Sequence, residues 1–89
     1  MKIRPEDYKR LETLVNATLE KFPLEKTQAD YQARGLSQTR LVWDYFHATV
    51  QRLQITDGES YVWMRGIYDY LNDNHIETAL KRIILGESK

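Results

Sequence analysis

From Tyr8 onward the apolar positions Tyr8, Leu11, Val15, Leu19 and Phe22 recur at steps of three and four, with Leu14 beside them. That spacing puts them on one face of a helix. Pro5 is tolerated in a first turn, and Glu6 and Asp7 suit the positive end of the helix dipole. Helical geometry is disfavoured before a proline, so Phe22-Pro23 ends this element. A second stripe, Leu41, Val42, Tyr45, Phe46, Thr49, Val50 and Leu53, predicts a helix that Ser37 caps. Turned at about 100° per residue, Arg40, Asp44, His47 and Gln51 fall opposite this stripe, with Trp43 at its border.

The remaining segments are shorter. Thr27-Gln28-Ala29-Asp30 resembles a capping box and predicts a short helix from Gln28 to Arg34, closed by Gly35. Residues 55–60 admit a hairpin turn at Asp57-Gly58 or a helix capped by Thr56 with Glu59. The helix is favoured, because Tyr61, Met64, Tyr68 and Leu71 continue at helical steps while the alternation before the turn is shallow. Gly66 weakens that helix by about 1 kcal/mol relative to alanine. A last helix carries Ile76, Ala79, Leu80, Ile83 and Ile84, with Asn74 and Glu77 as its capping box and Gly86 as its stop. The expected fold is all-α: one compact domain over residues 1–89, with four main helices and a short one near residues 28–34.

Composition narrows the class. The chain has 89 residues, 42% of them hydrophobic, which fits a small globular domain. It has no cysteine, which excludes thiol-ligated zinc and points to a reducing compartment. No apolar run follows the charges of the first twelve residues, as a secretory signal requires, and none reaches the roughly 18 residues of a membrane span. A cytoplasmic location is expected. Thirteen basic and thirteen acidic residues cancel, whereas nucleic-acid domains carry a basic face. The charges are uneven, however: residues 26–53 are net basic and residues 57–77 net acidic.

Three groups of residues carry candidate chemistry. Gly35-Leu36-Ser37 followed by Gln38, Thr39 and Arg40 resembles the turn and recognition helix of a helix-turn-helix over residues 28–46. Tyr31 stands where that motif wants a small residue, and Asp44 where it wants an apolar one. The polar face Arg40, Asp44, His47 and Gln51 is either a binding patch or a solvated helix face with a weak salt bridge, and Asp44 with His47 is an acid–base pair without a nucleophile. Trp63 and Tyr70 share a side away from the stripe of Tyr61 and Tyr68, where they form either an exposed protein interface or a second edge of the core wrapped by the bundle. A symmetric homo-oligomer burying that side is expected. His75 with Asp73, Glu77 and His47 makes a poor metal set, because its members do not share a helix face. Trp43 is expected to lie across residues 28–36, with Asp44 tying that segment down or pairing with Arg34 or Arg40. Phosphate loops and nucleophile elbows are missing from the sequence.

Arg34-Gly35-Leu36-Ser37, Arg40, Trp43-Asp44, Tyr70-Leu71-Asn72-Asp73, His75-Ile76 and Thr78-Ala79-Leu80 together resemble small accessory proteins of tailed bacteriophages, over about residues 31–84. The resemblance implies work in the host cytoplasm and assigns no catalytic residue. The functional expectation is a non-enzymatic binding module without cofactor or metal, acting by contact with a host or defence protein or with itself. DNA is the alternative partner, and no membrane is expected.

Overall fold

A computed structural model describes residues 3–86. Among the described residues five helices follow one another: α1 (Pro5–Lys21), α2 (Leu24–Ala33), α3 (Gln38–Thr56), α4 (Gly58–Tyr70) and α5 (Asp73–Leu85). No strand occurs among the described residues, so the hairpin alternative at residues 55–60 falls away. None of these helices is long and apolar enough to cross a membrane. The Cα radius of gyration is 12.7 Å, close to the roughly 12 Å expected of a compact chain this long.

Helix α3 is the centre of the packing and touches each of the other four helices. Its inward stripe of Leu41, Val42, Tyr45, Phe46 and Leu53 is buried. Leu11 and Val15 of α1, Met64 and Ile67 of α4, and Ile76, Leu80 and Ile84 of α5 complete one hydrophobic core. Thr18 and Thr49 are buried within it and meet at 2.6 Å. The Thr49 hydroxyl also reaches the Tyr45 carbonyl at 2.8 Å, so Thr18 is left to donate to Thr49. Both buried hydroxyls thereby have partners.

The helix ends depart from expectation in three places. The helix predicted over Gln28–Arg34 starts four residues earlier, at Leu24. Pro23 precedes it, and its missing N–H costs nothing there. Thr27 is not a cap; its hydroxyl donates back to the Pro23 carbonyl at 3.2 Å. Asp57, not Thr56, caps α4, accepting from the Ser60 amide at 3.2 Å and the Ser60 hydroxyl at 2.7 Å. Asn72, not Asn74, caps α5 by accepting from the His75 amide at 3.0 Å. Ser37 caps α3 as predicted, accepting from the Arg40 amide at 3.1 Å. Gly35, at φ 71°, ends α2 as predicted. There the Leu36 amide bonds the Tyr31 carbonyl and the Gly35 amide bonds the Gln32 carbonyl, the paired bonds of a left-handed helix stop.

Candidate functional site

Opposite the core stripe, α3 presents Arg40, Asp44, His47, Gln51 and Ile55 as one outward strip. Beside it, α1 and α2 leave a groove. One hollow of about 240 Å³ lies among Phe22, Thr27, Tyr31, Leu41, Asp44 and Ala48. A second, of about 390 Å³, lies among Lys21, Phe22, Ala48, Gln51, Arg52 and Ile55. Phe22 and Ala48 border both, so the hollows join into a trough along α3. From Asp44 to Ile55 it is about 16 Å long at 1.5 Å per residue, room for three turns of a helix.

The walls of the trough are fastened by side chains of α3. The Tyr31 hydroxyl donates to the Asp44 carboxylate, and the Arg40 Nε stands 3.7 Å from the same oxygen. That bond, with burial, pushes the Tyr31 phenol above its ordinary pKa. The Tyr45 hydroxyl donates to the Phe22 carbonyl at 2.6 Å and lies 2.9 Å from the Thr27 hydroxyl. The expected tie from Asp44 to the segment before α3 is therefore present, through Tyr31. Arg34 plays no part in it; its guanidinium pairs with Asp30 at 3.2 Å.

The floor and far wall are apolar with basic edges. Phe22 is 52% exposed and Ile55 87%, although both are large hydrophobic residues. Phe22 belongs to the α1 stripe by spacing, but the chain turns at Pro23 before its ring can enter the core. The Arg52 Nη2 donates to the Leu14 carbonyl at 3.1 Å, while its Nε is buried without a partner. Neither Lys21 nor Arg52 has a carboxylate within 4.0 Å among the described residues.

Trp43 does not lie across residues 28–36 as expected. Its ring meets Phe46 at 5.6 Å and Tyr68 at 6.4 Å, both edge-on, and its indole N–H donates to Glu77 Oε1 at 3.0 Å. Glu77 also pairs with Lys81 at 3.2 Å, and its carboxyl sits below the ordinary value because of the indole first and the ammonium second. His47 leans on this cluster, 6.1 Å from Trp43 and 5.8 Å from Phe46. Tyr68, expected within the buried stripe, is 38% exposed at the edge of these rings.

The proposed pairing of Trp63 with Tyr70 on one exposed side is only half present. Tyr70 is 65% exposed, whereas Trp63 is partly buried against the core under the Arg10 guanidinium, 4.7 Å from its ring. No three His, Asp or Glu side chains among the described residues are grouped to hold a metal ion. Asp44 and Gln51 were among the expected binding residues, whereas Phe22 and Ile55 were not. The available signal was Ile55 itself, an apolar residue one turn beyond Gln51 on the polar strip. Comparison of the chain with protein-family models, with curated proteins and with solved structures gives no match.

Proposed function

We propose that this chain is a non-enzymatic protein-binding module, of the tailed-phage accessory kind, working in the host cytoplasm. Its trough over α3 takes an acidic amphipathic helix of a partner protein. The observation that carries the reading is the pairing of exposed Phe22 and Ile55 with Lys21 and Arg52, neither of which has a carboxylate within 4.0 Å among the described residues. Apolar side chains beside an open groove gain about 1.5–3 kcal/mol each when fully covered. A helix laid in such a groove anchors residues one turn apart. A carboxylate of that helix would pair with the exposed Lys21 ammonium at the edge of the trough. The polar residues favour binding over catalysis: Asp44 is engaged by Tyr31 and Arg40, and His47 rests on aromatic rings.

A second reading, DNA recognition by residues 28–46, rests on the Gly35 turn and the Ser37 cap, with Gln38 and Arg40 exposed beyond them. One comparison separates the two. Phe22→Glu and Ile55→Glu alter exposed side chains and should leave the melting curve in place. A host protein retained from bacterial lysate by the wild type and lost with both variants is the expected result. Retention by both variants would remove the trough from the proposal. Affinity for duplex DNA that falls steeply with salt, unchanged in both variants, would favour the second reading.

A further inference from the structure

Helix α4 carries a residue on its outer face that the single chain does not explain. Gly66 lies in mid-helix, where glycine is less favourable than alanine because its backbone loses more freedom. A Cβ at this position would meet nothing within 4 Å, so no neighbour in the chain requires its absence. Val62 and Tyr70 stand one turn to either side, 67% and 65% exposed. Met64, Ile67 and Leu71 turn the other side of the helix end into the core. Arg65 and Asp69 are also exposed, and neither has an opposite charge within 4.0 Å among the described residues.

We propose that this face joins two copies of the chain, with their α4 helices antiparallel and crossing at Gly66. A two-fold axis through that crossing exchanges positions equally far from residue 66. Val62 and Tyr70 are each four residues away, so Val62 meets the partner subunit's Tyr70 and Tyr70 meets the partner subunit's Val62. Arg65 and Asp69 lie on the same flank of α4 at about 100° per residue. The axis keeps them on that flank, which brings Arg65 toward the partner's Asp69 and Asp69 toward the partner's Arg65. The face therefore sets apolar positions against apolar ones and opposite charges against each other, as a closed dimer requires.

The missing side chain at residue 66 then has a purpose. The spacing between two packed helices is set by the side chains at their contact, and glycine permits the closest approach. The pair differs from an aromatic interface built on Trp63, which Arg10 already covers. It also shares no residue with the trough over α3, so either proposal can fail alone. A contact of one helix on one helix is small and belongs to the weak, reversible class, below about 1,200 Å².

Sedimentation or light scattering across concentration tests it. The wild-type mass should climb from 10.6 kDa toward twice that value as concentration rises to about 1 mM, within reach of a weak contact of this size. Gly66→Gln places its side chain in open space within the monomer, so the melt should hold or rise while the dissociation constant increases about tenfold or more. Arg65→Glu and Asp69→Arg should each weaken association alone, and their equimolar mixture should restore it, since each then supplies the charge the other lacks. A mass fixed at 10.6 kDa throughout overturns the proposal. So does a dimer that survives Gly66→Gln, or a mixture of the two charge variants that associates no better than either alone.

Discussion

At the scale of single residues, Trp43 is placed by one hydrogen bond that its position in the sequence could not announce. Its border position allowed it to turn toward α2 or toward α4 and α5. The acceptor that decides, Glu77, lies 34 residues away, so only the folded chain brings the two together. Trp43→Phe keeps most of the ring contact with Phe46 and Tyr68 but removes the donor. A loss of about 1 kcal/mol at neutral pH is expected in thermal or urea melts, at the low end for a bond to a charge because Glu77 is partly solvated. The sign of its pH dependence follows from Glu77, whose folded-state carboxyl lies below its unfolded value of 4.5. Such a group stabilises the fold above its unfolded pKa and loses that contribution as pH falls through the folded one. The gap between Trp43→Phe and wild type should therefore shrink under acid conditions. An equal gap at neutral pH and at about pH 3 would mean that the indole N–H contributes nothing through Glu77.

At the scale of elements, caps show what local chemistry can and cannot decide. Ser37 was legible because no rival cap stands beside it. Thr56 competes with the adjacent Asp57, and Asn72 with Asn74 two residues on. Asp57 prevails by accepting two bonds from Ser60, while the Thr56 hydroxyl stays within α3 on the Arg52 carbonyl at 2.9 Å. The early start of α2 was illegible for another reason: no residue of α2 is fully buried, so it has no sharp hydrophobic stripe to read. What holds α2 is its packing on α3, the Tyr31–Asp44 bond and the contact of the Tyr45 and Thr27 hydroxyls. Asp44→Ala and Tyr31→Phe should each cost about 1 kcal/mol, and the double variant should cost less than their sum because they remove the same bond. Strict additivity in urea melts would disprove that coupling. Tyr31 adds a limit at high pH. Its phenol is raised above 10.0, so the stability it confers is complete below that value and fades as pH rises through the folded pKa. Tyr31→Phe should lack this alkaline loss.

At the scale of the whole molecule, stability is unevenly spread. Helices α1, α3, α4 and α5 share the core, while α2 rests on its surface through partly buried Leu24 and Tyr31. Segments with few buried apolar groups open at lower free energy than the global unfolding. Amides of α2 should therefore exchange with deuterium faster than those in the middle of α3 and α5; equal protection would show that α2 unfolds only with the rest. The all-α class and the helix that Ser37 caps were legible from periodicity, whereas the central place of α3 appears only in its contacts with the other four helices. The trough was not, because Phe22 is exposed by a turn of the chain that its stripe does not reveal. One consequence of α3 lies in descent rather than energy. Val42, Phe46, Thr49 and Leu53 face the core, while Asp44, Ala48, Gln51 and Ile55 border the trough. If a partner occupies the trough, α3 should record two histories at once: one side held fixed by the fold, the other changing in step with the partner, in alternation along a single helix.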